Sequence, residues 1–330
     1  MTAALTLADY ANNPSPLVAG VAKVLRENSP FMDKLPFENV AALSVEVNRE
    51  GNMSDVAWRN IGESHGSVLH TKPDKVTENV FSIGNEIIVD KMYLRDKSAR
   101  LYNPMTYQTK MTTKSIARNF TDKIVNGLPS DKKNPVGLFY RLKNDLGASQ
   151  NLLAKSGGLD ISDDASGLSA NIQAFIDKLD QLLYAVTDDF SLGGNGVLLL
   201  CNDTMLMRIN SAFRQSGALD ESKDALGRIF LTYKGATFID MGLKYDESTR
   251  IIANAELADG TALTGGGSTS IYAVKLGKEY FTGWQEYALE VSEPTLMDDQ
   301  VTYKSVVDWP VGIAVSHPRS IARLYGVIAA

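Results

Sequence analysis

The chain has 330 residues, 44% hydrophobic and 22% charged, more than one hydrophobic core usually organises, so two subdomains are the default. Its formal net charge is −6, and basic residues gather only in short clusters such as Lys132-Lys133 and Lys110 with Lys114, which opposes a nucleic-acid binder that works by neutralising phosphates. No apolar run is long enough to cross a bilayer, and the amino terminus lacks a basic region followed by an apolar core, so neither a membrane span nor secretion is indicated.

Ala8 to Asn28 carries Asn13-Pro14-Ser15-Pro16 and then a helix with Leu17, Val21, Val24 and Leu25 on one stripe. So short an amphipathic helix needs a surface, either its own body or a neighbour's. Leu43, Val45 and Val47 alternate with Ser44, Glu46 and Asn48 as a strand that runs out at Arg49-Glu50-Gly51-Asn52, and alternation returns from Val80 to Val89. The polar stretch between, with Trp58, Gly62, Gly66 and Pro73, makes these strands a long hairpin or an extended loop. A connection of roughly thirty residues is longer than compact domains carry without a function. Trp58 is costly there unless it docks, on a neighbour or beneath its own loop.

After Tyr102-Asn103-Pro104 a helix begins, with Asn103 as cap and Pro104 at its first position. Ile116, Phe120 and Ile124 share one face, and Gly127 with Pro129 ends it. It spans about 35 Å at the helical rise. Its other faces, rich in Thr, Gln, Lys and Arg, read as too polar for a core. Lys132 to Gly167 is loop-rich, with Asn134-Pro135, Gly147, Gly157-Gly158 and Asp163-Asp164, and marks the boundary between subdomains.

Ser169 caps a helix with Ile172, Ile176, Leu179, Leu183 and Val186 on one stripe, and Val197 to Cys201 is a buried strand. Cys201 is the single cysteine; it excludes an intrachain disulfide, reads as a small buried hydrophobe and fits a reducing compartment. A second helix, capped by Asn202 or Asp203, carries Leu206, Ile209 and Phe213 up to Gly217. Tyr233 to Asp240 and Ile251-Ile252-Ala253 add strands. Ile271, Ala273 and Leu276 bracket an apolar strand, Gly283-Trp284-Gln285 reads as a turn, and Tyr287, Leu289 and Val291 resume the alternation of a sheet with one buried face. Glu293 to Gln300 is an acidic turn, after which Val301, Tyr303, Ser305 and Val307 share a face of a strand that Pro310 ends or keeps at an edge. The His317-Pro318 step disfavours helix at His317, and Arg319 to Tyr325 reads as one short terminal turn.

None of these elements carries recognisable chemistry. Gly193-Gly194-Asn195-Gly196 and Gly265-Gly266-Gly267-Ser268 both lead into strands, so neither cradles a phosphate at a helix start. His65, His70 and His317 are the only histidines, and the first two lack a third ligand. Glu290, Glu293, Asp298 and Asp299 lack the oxygen spacing of a calcium loop and read as solvated carboxylates. No catalytic, cofactor-binding or metal-binding residue is expected. Organisation without a reactive site points toward assembly.

Taken in order, Ser270-Ile271-Tyr272-Ala273-Val274-Lys275-Leu276-Gly277, Gly283-Trp284-Gln285, Val307-Asp308-Trp309-Pro310-Val311-Gly312-Ile313-Ala314-Val315 and Pro318-Arg319-Ser320-Ile321-Ala322-Arg323-Leu324-Tyr325-Gly326 resemble the carboxy-terminal half of the major capsid proteins of tailed bacteriophages, the Hong Kong 97 fold. The Leu5-Thr6-Leu7-Ala8-Asp9-Tyr10 start and the Ser29-Pro30-Phe31-Met32-Asp33-Lys34-Leu35-Pro36-Phe37 step extend the resemblance to the other end of the chain. It implies an α+β capsid fold with five parts. These are an N-terminal arm (1–42), an extended loop with its flanking strands (43–90), a peripheral domain with a long spine helix at about 104–126 and a boundary segment (91–167), an axial domain (168–285), and return strands completing the peripheral domain (286–330).

The function so implied is mechanical: many copies assemble through pentamers and hexamers into an icosahedral head around double-stranded DNA. Leu17 and Val21 on the arm, and Trp58, Arg59, Lys72 and Lys75 on the loop, are the candidate assembly-interface residues. The implied partners are further copies of the chain, a portal, a scaffold or decoration protein, and packaged DNA touched without sequence preference. No membrane is involved, and the location implied is the virion, assembled in the host cytoplasm. Some relatives of this fold join loop lysines to asparagines covalently; Lys72 or Lys75 could stand at the loop position, but no partner asparagine or glutamate is identifiable, so no crosslink is expected. An encapsulin-type compartment shares the fold, and an α/β enzyme with an unrecognised site is the alternative from another class.

Overall fold

A computed structural model describes residues 23–49, 58–64, 74–95, 103–162, 167–186, 196–217, 220–223, 227–257 and 267–329. Leu17, Val21, Lys72, His65, His70 and the glycines at 193, 194, 265 and 266 lie outside the described residues. Residues 23–28 are helical, and the Ser29 hydroxyl caps the short helix α1 (Pro30–Lys34). Strand β1 (Phe37–Asn39), the paired strands β2 (Ser44–Arg49) and β3 (Asp74–Asn79), β4 (Phe81–Asp90), α2 (Lys91–Arg95) and the long helix α3 (Pro104–Asn126) follow. Next come α4 (Leu138–Tyr140), a wide π-type turn at Arg141–Asp145, β5 (Asn151–Leu153), β6 (Leu159–Asp160), α5 (Leu168–Val186), β7 (Val197–Cys201) and α6 (Asp203–Ser216). The rest is strand: β8 (Asp220–Lys223), β9 (Ile229–Tyr233), β10 (Ala236–Asp240), β11 (Ser268–Lys275), β12 (Phe281–Gln285), β13 (Glu290–Val291), β14 (Thr295–Leu296), β15 (Thr302–Val315) and β16 (Ile321–Ile328).

The strands form two sheets and a separate β2–β3 ribbon. In the first sheet β15 pairs antiparallel with β4 from Thr302 opposite Asp90 to Val311 opposite Phe81, and its other edge takes β14, β13 and β12 in turn. The second runs β5-β16-β11-β7-β10-β9-β8, with β6 also on β16. On its near face α5 and α6 cover Leu199, Ile271, Ala273 and Leu324. Its far face, with Leu198, Leu200, Ile239, Tyr272 and Val274, shares one core with α3 and β15. β7 and β11 are thus buried on both faces, which their near-continuous apolar sequences allow.

Period-two alternation sends Trp309, Val311, Ile313 and Val315 to one face of β15 and Gly312 and Ala314 to the other. Trp309 meets Phe120 of α3 edge-on at 5.2 Å between centroids and Phe37 at 5.5 Å, and its indole N–H donates to Gln285 Oε1 at 3.1 Å. Asn103 and Pro104 start α3 as the sequence predicts, and Ile116, Phe120 and Ile124 are buried. Burial spreads beyond that stripe, however, to Thr112, Thr113 and Thr121. Threonine can enter the core here because its hydroxyl bonds the preceding turn: Thr113 donates to Thr109 O at 2.8 Å and Thr121 to Ala117 O at 2.7 Å.

Several sequence expectations are corrected. Gly283-Trp284-Gln285 is not a turn but the end of β12, parallel to β1. Gly283 is needed for close approach: a Cβ there would lie 2.6 Å from the Phe37 ring. Pro310 sits in mid-strand, between the stretches of β15 that pair with β13 and with β12, where no ladder partner calls for its missing N–H on that side. Arg319 to Tyr325 is a single turn, Pro318–Ser320, followed by strand β16, and Ile251-Ile252-Ala253 is not a strand, though Ile251 and Ile252 are buried. The partner of β2 is Asp74–Asn79, whereas residues 81–90 pair with β15.

Arg323 is fully buried on β16. Its guanidinium donates to Glu256 at 2.8 Å and to the Ser270 hydroxyl at 3.0 Å, and lies over the Phe139 ring at 4.6 Å. Arg323→Met strands the Glu256 carboxylate in the core and should cost about 3–5 kcal/mol in urea unfolding, most of it recovered by adding Glu256→Gln. Gly283→Ala, which overpacks the Phe37 contact, should cost about 1–3 kcal/mol in the same assay.

Candidate assembly surface

The β2–β3 ribbon lies on the face of the first sheet opposite α3. Val45 and Val47, spaced two apart, turn toward Trp284 and Ala314, and Ser44, Glu46 and Asn48 turn outward. At its root the β3 backbone crosses Gly312 so closely that a Cβ there would stand 2.5 Å from Asn79 O. Further out three buried charged groups meet. The Glu78 carboxylate takes both guanidinium ends of Arg141, one at 2.6 Å, and a third donor from Arg49 at 3.3 Å. Arg141 Nε donates to Val136 O and Arg49 Nε to Val315 O, each at 2.8 Å. Burial, then the neighbouring Arg141 cation, holds the Arg49 guanidinium below its usual pKa.

Beyond the ribbon, residues 58–64 close a turn on themselves. Arg59 donates to Glu63 O at 2.9 Å, and the Glu63 carboxylate accepts from the Asn60 backbone at 3.1 Å and side chain at 3.3 Å, which keeps that carboxyl below its usual range. This turn leaves Trp58 and Ile61 at 102% and 106% relative exposure. A second apolar surface lies on the body. Ile88, Met92 and Tyr93, with Tyr107 and Met111 one helical turn apart on α3, are exposed. They flank a groove of about 460 Å³ between β4 and the first turns of α3, lined by Asn85 to Asp90, Pro104, Gln108 and Thr112. β4 pairs along one edge only among the described residues.

Of the residues singled out from sequence, Trp58 and Arg59 share the exposed turn, Arg59 with its side chain folded back on Glu63. Lys75 stands on the outer face of β3 at 3.5 Å from Glu46, an exposed cross-strand pair that adds little stability. Leu17, Val21 and Lys72 are outside the described residues, but Leu25, from the same predicted stripe, is buried in the chain's own core. Asp33 ties that segment to the second sheet, pairing with Arg26 and, at 2.7 Å, with Arg228 beside β9. Sequence reasoning missed Ile61, Glu78, Arg49, Arg141 and the Ile88–Met111 surface. Ile61 is, with Trp58, one of two large apolar residues in an otherwise polar turn, and Ile88 breaks the alternation of β4, which were signals; the meeting of Glu78 with Arg141 had none.

Among the described residues no group of three or more His, Cys, Asp or Glu side chains could hold a metal ion. Cys201 is buried, and its surroundings push the thiol well above its usual pKa. No helix among the described residues is long and apolar enough to cross a membrane.

No family model and no curated protein matches the sequence. Solved structures do match its fold. The holo-SrpI encapsulin complex from Synechococcus elongatus PCC 7942 aligns with a TM-score of 0.59 at 14% identity, over 90% of this chain and 86% of that one. The capsid of Myoviridae phage XM1 aligns at 0.57 and 13%, over 89% and 90%, and the capsid of the empty GTA particle at 0.55 and 15%, over 92% and 90%. Over about nine-tenths of its length, with α3 as the spine helix across the first sheet, this chain has the Hong Kong 97 capsid fold.

Proposed function

We propose that the chain is the major capsid protein of a tailed double-stranded DNA bacteriophage, and that its copies assemble through pentamers and hexamers into an icosahedral head. The observation that carries this reading is a capsid-type fold whose fully exposed Trp58 and Ile61 stand on a turn beyond the β2–β3 ribbon, with a second group of exposed apolar side chains, Ile88, Met92, Tyr93, Tyr107 and Met111, elsewhere on the body. A large aromatic held in water is stabilised when it docks on a partner. Lasting assemblies bury upwards of ~2,000 Å² per contact, and spreading that area over an arm (1–42), an extended loop (43–90) and an axial domain (168–285) lets one subunit bind several neighbours. Peripheral parts at 91–167 and 286–330 complete the division, and head-to-tail contacts of this kind close into rings. The net charge of −6 suits a lining that confines DNA without gripping it. Portal, scaffold or decoration proteins and virion assembly in a host cytoplasm belong to the same reading.

An encapsulin-type compartment is the second reading, favoured by the alignment with the holo-SrpI complex. The nucleic-acid content of purified particles separates the two: genome-length DNA in particles from an infected host supports a phage head, and enclosed protein in its place supports the compartment.

Replacing residues 51–73 by a tight turn should leave the melting temperature of the subunit unchanged and abolish particles in sedimentation; normal particles would refute the loop's role. Trp284 and Trp309 are buried, so Trp58 alone of the three tryptophans should be quenched by acrylamide in free subunits. Assembly should protect it, and Trp58→Ala should raise the concentration at which particles appear by about tenfold or more. Equal quenching before and after assembly would show that Trp58 stays in water.

A further inference from the structure

We propose that Glu78, Arg141 and Arg49 are positioning residues for assembly: their buried ionic clamp sets the angle at which the β2–β3 ribbon leaves the body, and with it the direction in which the turn at 58–64 is offered to a neighbouring copy. This rests on the assembly reading above and adds to it the groups that aim the loop.

Three kinds of contact hold the ribbon, and they differ in what they fix. At the root the backbone crosses Gly312, which fixes a pivot point and no direction. The contact of Val45 and Val47 with Trp284 and Ala314 is apolar, and both valines are only half-buried. Apolar burial is non-directional and tolerates a sliding or tilting ribbon. The clamp is directional. A planar guanidinium that donates to both oxygens of one carboxylate admits one relative orientation, and Arg141 is itself held through Nε to Val136 O at 2.8 Å. Arg49 pins the other strand separately, to Val315 O at the end of β15 at 2.8 Å, and closes the cluster through Glu78 at 3.3 Å. The pivot and two pins on different strands define the pose of a rigid ribbon.

The choice of charged residues supports the same conclusion. Glu78, Arg49 and Arg141 are 5%, 6% and 4% exposed. Apolar side chains of similar size at such positions commonly give equal or greater stability, because charges lose their hydration on burial. Two arginines against one glutamate, with Asp74 and Asp145 as the further anions acting on Arg49, is a costly way to glue two surfaces and an effective way to orient them.

The test uses the full-length chain in three forms: wild type, Arg49→Lys, and the apolar triple variant Arg49→Leu, Glu78→Leu, Arg141→Met. The readouts are amide hydrogen exchange in free subunits and particle diameter by electron microscopy. The triple variant should melt at or above the wild-type temperature. Exchange in residues 44–49 and 74–79 should rise at least tenfold while β15 stays protected, and shells of a single diameter should give way to mixed or open forms. Arg49→Lys keeps the charge but replaces the rigid planar fork by a freely rotating ammonium that sets no fixed direction between Val315 O and Glu78, and should raise ribbon exchange at least threefold; it decides the matter should the triple variant fail to fold. Wild-type exchange in the ribbon of a folded variant, or variant particles of wild-type diameter, would overturn the proposal. If wild type itself forms no particles the assembly reading fails, and the exchange arm alone still decides whether the clamp orients the ribbon.

Discussion

Strand β15 is paired along both edges for most of its length, and each of its faces carries a different burden. Trp309 presses on Phe120 and Phe37, which fixes the long helix across one face, and Gly312 with Ala314 leaves the other face flat enough for the root of the β2–β3 ribbon. A side chain at Gly312 would push the ribbon away, and a smaller one at Trp309 would loosen the helix. The alternation of large and absent side chains in Trp309-Pro310-Val311-Gly312-Ile313-Ala314 thus decides how two very different elements sit back to back on one sheet.

The remaining architecture follows from where apolar faces can go. The second sheet buries both of its faces, one under α5 and α6 and one against the core it shares with α3, which joins the two sheets into one packed body. The charged groups drawn inside that body are paired. Arg323 answers Glu256 within the core, Asp33 answers Arg26 and Arg228 at the start of the described chain, and Glu78 answers Arg141 and Arg49 under the ribbon. They join segments distant in sequence.

Much of this was legible from local signals. Asn103 and Pro104 mark the start of α3, the stripe Ile172, Leu179, Leu183 and Val186 marks α5, and Asn202 with Gly217 brackets α6, because caps and helical periodicity are written within one element. The errors came where tertiary context overrides local reading. Gly283 looks like a turn until Phe37 is seen against it, Pro310 looks like a strand end until its neighbours are seen to change there, and Val80 to Val89 looks like the mate of Ser44 to Arg49 because alternation says nothing of partner. In the candidate surface, Trp58 stands out from its polar surroundings, whereas Glu78 is one more acidic residue until Arg141, distant in the chain, reaches it.

The central claim is that this fold exists to be repeated, with the ribbon and its loop as the reaching element. Single-particle electron microscopy of the purified full-length chain tests it most directly. The account predicts closed shells whose subunits cluster around fivefold and sixfold positions, each placing Trp58 against an adjacent copy. Monodisperse single subunits at every concentration and salt condition, with Trp58 still in water, would contradict it.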